Sequence, residues 1–218
     1  LYCCYFHAGL RIFDISDPRA PAFVGSYPSI NCSNGIALGA DYAFIAGGAG
    51  GLQVLDISNP LDPAGVATLS LGAYALDVAL AGDRAYVTAG GLRAIDVSDP
   101  HAPVEVTSFT TPGRSGGLAV AGRYAYVAHD ESGLLVFSIA PTVGVQLVAE
   151  LPLPGNAWDV AIAGNVAYVA CAGGGLQVVD VSTPVVPVHI GSFAPAGTIA
   201  NGIVVDGDYA YLADGVIN

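Results

Sequence analysis

The chain has no lysine, no methionine, a single tryptophan and few charges of either sign. Among its 218 residues, six basic side chains, all arginine, stand against 18 acidic ones, for a formal net charge of −12. That balance excludes the basic footprint that phosphate binding needs, and with it nucleic acid as a partner. It equally excludes a basic anchor on an anionic membrane surface. The acids are expected to keep an apolar sheet protein in solution, the alternative being a cation-binding role. Long hydrophobic runs are missing too, and none approaches the roughly 20 residues of a spanning helix. The four cysteines, Cys3, Cys4, Cys32 and Cys171, lack zinc-ligand spacing. Cys3 and Cys4 are adjacent and would point to opposite faces of a strand, so no disulfide framework is expected. No paired-cysteine, H-E-x-x-H or phosphate-loop motif is present.

What is present is repetition. LRIFDIS from Leu10, LQVLDIS from Leu52, LRAIDVS from Leu92, LLVFSIA from Leu134 and LQVVDVS from Leu176 are versions of one strand. Their leading leucines are 42, 40, 42 and 42 residues apart. A second motif keeps step: DYAFIA from Asp41, DRAYVT from Asp83, RYAYVA from Arg123, NVAYVA from Asn165 and DYAYLA from Asp208. A period of 40 to 45 residues filled with strand-like segments predicts propeller blades. With 53% hydrophobic residues, material for a large core is at hand.

The clearest unit starts at Asp77. Strand one is DVALA, Gly82-Asp83 is a tight turn, strand two is RAYVT, and Gly90-Gly91 leads into strand three. Glycine supplies the positive φ of a two-residue hairpin. Then comes Asp-[Ile/Val]-Ser-x-Pro-x-x-Pro, from Asp14, Asp56, Asp96 and Asp180. There the Asp and Ser side chains bond nearby amides, and the prolines end sheet pairing. VEVTSF from Val104 is strand four. The fourth copy departs, with Ser138 for the turn Asp, Ala140 for the Ser, and APTVGVQ for the double-proline turn.

The fold class predicted is all-β, a propeller of four-stranded antiparallel blades. Residues 1–218 form one domain of repeat units near 1–34, 35–76, 77–116, 117–158, 159–201 and, in part, 202–218. LYCCYF lies at a strand-two position, and the repeat that begins at Gly202 reaches only strand two. Either five blades close a ring, or the chain is a fragment of a larger propeller. A start on Leu1 and the lack of methionine incline the reading towards the fragment.

The repeated core Gly-Leu-x-[Val/Ile]-x-Asp-[Ile/Val]-Ser-x-Pro, preceded by Ala-Tyr-Val-Ala, resembles the LVIVD repeat family. The resemblance covers nearly the whole chain. It implies a β-propeller of bacterial or archaeal cell surfaces, and hence an extracellular or surface location.

Propellers bind ligands at one face, near the central channel. The first residue of strand one is expected there: Gly35, Asp77, Gly117, Asp159 and Gly202. The residues just before are Asn34, Leu76, Gly116, Trp158 and Asn201. Asn34, Asp77, Trp158, Asp159 and Asn201 therefore form the candidate ligand site. Its two carboxylates could take a Ca2+ ion with help from carbonyls, although no cofactor is evident, or could cap loops through backbone amides. His129-Asp130-Glu131, in the strand two to three turn of the fourth repeat, is a second candidate, either a metal or proton site or a solvated turn. Gly113-Arg114-Ser115-Gly116-Gly117 has the letters of a nucleophile elbow without the helix that must follow it. Asn31-Cys32-Ser33 fits a glycosylation sequon. The leading expectation is a non-enzymatic surface scaffold for a protein or carbohydrate. The alternatives are a hydrolase or lyase working through Asp77 and Asp159, and a structural spacer beside further blades of a larger propeller.

Overall fold

The computed structural model describes residues 1–5, 9–28, 34–140 and 144–215. The sequon at Asn31-Cys32-Ser33, His7, and residues 141–143 of the altered fourth turn lie outside them. Every regular element among the described residues is a strand. By its contacts the chain divides into two compact units. One comprises Leu1–Ala89 and Arg93–Val106, the other Gly90–Leu92 and Thr107–Asn218.

In the first unit, β1 (Tyr2–Tyr5), β2 (Gly9–Asp14) and β3 (Ala22–Tyr27) make a three-stranded sheet. β4 (Gly35–Leu38), β5 (Tyr42–Ala46), β6 (Leu52–Asp56) and β7 (Ala64–Leu69) make a four-stranded antiparallel meander. β8 (Asp77–Ala81), β9 (Arg84–Thr88), β10 (Gly91–Asp96) and β11 (Val104–Thr110) repeat it, Gly91, Leu92 and residues 107–110 being counted with the second unit. The strands expected from DVALA, RAYVT, LRAIDVS and VEVTSF are these four, within two residues.

The second unit continues the pattern. β12 (Ser115–Ala121), β13 (Tyr124–His129), β14 (Gly133–Ser138) and β15 (Gln146–Leu151) form one meander. The next consists of β16 (Asn156–Ala163), β17 (Val166–Ala172), β18 (Gly175–Asp180) and β19 (Val188–Phe193). β20 (Ala200–Asp206) and β21 (Tyr209–Asp214) pair as a two-stranded sheet.

A single sheet of this length cannot hide both faces, so successive sheets stack. In the first unit, Phe44, Leu52 and Val54 bury against Ala85, Val87 and Ile95 of the following sheet. In the second, Tyr126, Leu134 and Val136 meet Ala167, Val169 and Val179. Each large side chain so buried contributes about 1.5–3 kcal/mol. The small Ala and Val of one face give room to the Phe or Tyr of the other, so the stacked sheets interlock at interior density.

Turn chemistry matches the sequence. Gly82, Gly122, Gly164 and Gly207 take φ of 57°, 60°, 58° and 56° between strands one and two. The amides of Ser16, Ser58, Ser98 and Ser182 donate to the carboxylates of Asp14, Asp56, Asp96 and Asp180 at 2.8–3.0 Å. The hydroxyls of Ser58 and Ser98 with their amides, and the amides of Ser16 and Ser182 with their hydroxyls, hold all four carboxyls below the usual carboxylate pKa. In the fourth repeat the Ile139 amide donates to the Arg123 carbonyl at 2.9 Å, as the matching amides of Ile57, Val97 and Val181 donate to the carbonyls of Asp41, Asp83 and Asn165.

Candidate functional site

The expected start of strand one is right for two sheets and shifted in three. Gly35 and Asp77 open β4 and β8, whereas β12, β16 and β20 begin two residues before Gly117, three before Asp159 and two before Gly202. The reason is a register shift. Ala157 pairs with Cys171 and Asp159 with Ala170, leaving Trp158 as an extra residue. Asn201 is the extra residue between Ala200 and Gly202. Such bulges re-aim a side chain without ending the sheet.

In the first unit, the Asn34 side-chain amide donates to the Ala75 carbonyl at 3.0 Å. Asp77 accepts from the Val78 amide at 2.8 Å, and its own amide donates to the hydroxyl of fully buried Thr88 at 3.0 Å. A Cβ on Gly35 would stand 2.2 Å from the Asp77 carboxylate, so that carboxylate packs where only glycine leaves space.

Asp159 repeats the arrangement in the second unit. A Cβ on Gly117 would stand 2.1 Å from its Oδ1. Oδ1 accepts from the Val160 amide and Oδ2 from the Ile203 amide, each at 2.8 Å. Asp159 thus ties β16 to β20. Burial raises its pKa, partly offset by the Ile203 and Val160 amides. Among the described residues no three His, Cys, Asp or Glu gather as metal ligands. Asn201 is exposed.

Around Trp158 the second unit assembles a different site. The Arg114 guanidinium lies 4.3 Å from the indole centroid, a cation–π distance. The indole N–H is buried without a partner. The Asp130 carbonyl accepts from the Ala157 amide at 2.9 Å, and its carboxylate from the Asn156 side chain. Arg114, Gly116, Asp130, Ala157 and Trp158 line a void of about 10 Å³, enough for a single water or one ligand hydroxyl.

The turn candidate splits. Glu131 is exposed and Asp130 half-buried, but His129 closes β13 and is 4% exposed. Both its ring nitrogens lack a hydrogen-bond partner. It pairs across the strands with Ser115, whose hydroxyl lies 3.2 Å from that of Thr111. Ser115 sits in a strand that continues into strand β13, with no helix. Cys3, Cys4 and Cys171 are unpaired, and burial pushes the Cys171 thiol up to about 12. Reading the sequence as motifs missed Arg114 and Asn156. A column-by-column comparison of repeats carries the signal, because Thr111, Ser115 and His129 stand where the next repeat has Leu153, Ala157 and Cys171.

The LVIVD repeat model matches residues 1–29, 33–68, 72–111, 112–139, 154–194 and 197–217. No curated protein matches the chain. Among solved structures, a Lactobacillus plantarum protein superposes with a TM-score of 0.83 at 14% identity, over 98% of this chain and 74% of that one. A functionally unknown protein from Desulfotomaculum acetoxidans gives 0.75 at 13% identity, over 89% and 66%. The computationally designed Ika8 protein gives 0.75 at 10% identity, over 98% and 64%. The chain thus spans less than two thirds of the last two structures, and likeness at such identities speaks for the fold.

Proposed function

The chain belongs to the LVIVD repeat family, and from that premise we propose that it is a non-enzymatic binding scaffold outside the cell. Its blades are β-propeller sheets, and the proposed recognition surface is the Arg114, Asp130, Asn156 and Trp158 cluster of the second unit. The location follows the habit of the family. One observation carries the reading: Trp158, whose buried indole N–H has no partner among the described residues, lines a hydroxyl-sized void together with Asp130. A ligand hydroxyl there would accept from the indole and donate to Asp130. Aromatic and arginine anchors of this kind dominate binding energy at interfaces. A carbohydrate or a hydroxyl-bearing peptide side chain has the chemistry required.

The raised pKa of Asp159 is the observation that favours an acid–base enzyme. Against it, both Asp159 oxygens already accept backbone amides, which leaves the group to hold two sheets together.

Trp158 is the only tryptophan, so tryptophan emission, excited selectively over the 11 tyrosines, reports on this site alone. Titration with a panel of neutral oligosaccharides and Ser- or Thr-containing peptides is expected to shift its emission, and Asp130→Ala to abolish the shift. A ligand that binds the wild-type chain without moving the emission would place recognition elsewhere and overturn this reading.

A further inference from the structure

Two residues of the fourth strands stand out in the first unit. Gly65 takes a position filled elsewhere by Phe23, Glu105, Leu147 and His189, and Tyr27 one filled by Leu69, Phe109, Leu151 and Phe193. The two departures are coupled. A Cβ on Gly65 would stand 2.3 Å from the Tyr27 hydroxyl, so the tyrosine of β3 reaches over ground that only glycine leaves clear. In the next sheet, Arg93 and Glu105 stand at the positions of Gln53 and Gly65. They fill the matching space with an ion pair, Arg93 Nη1 donating to both Glu105 oxygens at 3.2 and 2.9 Å. At Gly65 there is no side chain, and the space stays open.

The opening is a cavity of about 290 Å³ between β3 and the β6–β7 pair, lined by Tyr27, Gln53, Leu55, Gly65, Val66 and Thr68 among others. That is close to the lower end of small-molecule pockets, about 300 Å³, and to the liquid volume of about ten waters. No charged side chain lines it. Gln53 brings an amide, Tyr27 and Thr68 bring hydroxyls, and donors and acceptors are therefore both on offer, beside the aliphatic carbon of Leu55 and Val66. Gln53 is 5% exposed and so held in place, whereas Thr68 is open to solvent. The two sheets also touch close by, since a Cβ on Gly25 would meet the Pro60 carbonyl at 2.3 Å. That contact suits the cavity to a compact occupant rather than an extended chain.

We propose that this cavity binds one neutral sugar ring, independently of the Trp158 cluster in the second unit. A sugar ring is compact and uncharged, carries hydroxyls that both donate and accept, and has a carbon face for the aliphatic lining. Its hydroxyls exchange hydrogen bonds with Gln53, Tyr27 and Thr68. A sugar acid is disfavoured twice, by a lining without a cationic partner and by the net charge of −12 on the chain.

The test is a titration of the isotope-labelled full chain with the methyl pyranosides of glucose, galactose and mannose, followed by amide NMR spectra. At least one sugar is expected to move the amide signals of Gly65, Val66 and Thr68 while the Trp158 indole signal stays in place. Thr68→Val keeps the shape of the mouth and removes its hydroxyl. Gln53→Leu installs the residue that the fourth repeat has at Leu135. Each is expected to weaken binding about tenfold. Copying the next sheet by Gln53→Arg with Gly65→Glu, and Tyr27→Leu to make room, is expected to abolish it. Amide spectra of the free variants check folding, and the Thr68→Val result stands if the triple variant does not fold. A chain that shows no shift with any of the sugars overturns the proposal, as do shifts confined to the Trp158 indole, which would favour the second unit's site. So do a methyl glucuronoside that binds as tightly as the neutral sugars, or a folded Thr68→Val and Gln53→Leu pair that each bind like wild type.

Discussion

The fourth and fifth repeats share a backbone and differ in what they place on its edge. Thr111, Ser115 and His129 are 8%, 3% and 4% exposed, and their counterparts Leu153, Ala157 and Cys171 are 8%, 3% and 0% exposed. Equal burial with opposite polarity shows that the fold tolerates either set. Gly116-Gly117 stands against Trp158-Asp159, and Ser138-Ile139-Ala140 against Asp180-Val181-Ser182. Strand, register and stacking follow from what the two repeats share, namely the glycine turns, the Ala-Tyr-Val core and the strand-three leucine. Polar chemistry follows from what they do not share. The differences are also coupled, since the glycine of one repeat is the space occupied by the aspartate of the next.

The severest way to break the comparison is Gly117→Ala. Its Cβ would be 2.1 Å from the Asp159 carboxylate and 2.9 Å from the Asp159 Cα, so backbone must move. We expect a loss of about 3–5 kcal/mol, read from the denaturant midpoint. Gly191→Ala, whose Cβ meets nothing nearer than Val178 at 4.0 Å, is the control, expected within about 0.5 kcal/mol of wild type.

Transplanting one edge into the other sharpens it next. The triple variant Thr111→Leu, Ser115→Ala, His129→Cys gives the fourth repeat the residues of the fifth. It removes two unpartnered ring nitrogens from the core, and buried unpaired polar groups cost about 1–3 kcal/mol. A gain of that size in thermal or denaturant stability is the expected result. A loss would mean that His129 has a partner in solution, such as an ordered water worth keeping.

These differences show where sequence alone reached and where it stopped. The strand-three leucines, the glycine hairpins and the Asp-x-Ser turns are local signals of backbone conformation, and they gave the blade and the repeat. Asp77 and Asp159 were legible as a pair in phase, yet their surroundings were not. The glycine against each lies 42 residues earlier in sequence, and only stacking makes them neighbours. Trp158 was visible as the lone tryptophan, but its bulge depends on a register shift that no residue type announces. His129 was read with Asp130 and Glu131 because it adjoins them. Strand alternation turns it the other way, towards Ser115.

Asp159→Ala tests the coupling with a smaller effect. The Ile203 amide loses its acceptor, at a cost of about 1–3 kcal/mol. The sign of the pH dependence follows from the raised pKa of Asp159. A carboxyl with a higher pKa folded than unfolded contributes stability below its unfolded value and loses it as pH rises through the folded one. The gap between wild type and variant is therefore expected to be widest at acidic pH and to narrow towards neutrality. A gap that widens with pH would show that the two amides outweigh burial.

The smallest effect has the opposite sign and separates the two repeats at their turns. Asp180 is held below the usual carboxylate range by the backbone and hydroxyl of Ser182. Its contribution is present above the unfolded value and is lost as pH falls through the folded one. The matching turn of the fourth repeat has Ser138 and Ala140, with no carboxylate to titrate. Asp180→Asn keeps an oxygen to accept the Ser182 amide but gives up the titration, so the acid limb of stability should flatten slightly. Installing Ser138→Asp with Ala140→Ser should steepen it by a similar amount. Melting temperatures between pH 7 and pH 3, taken on wild type and both variants, give the comparison directly. If the Ser138→Asp pair leaves the acid limb unchanged, an Asp and a Ser do not rebuild the titrating turn by themselves, and the double-proline sequence that the fourth repeat lacks is needed with them.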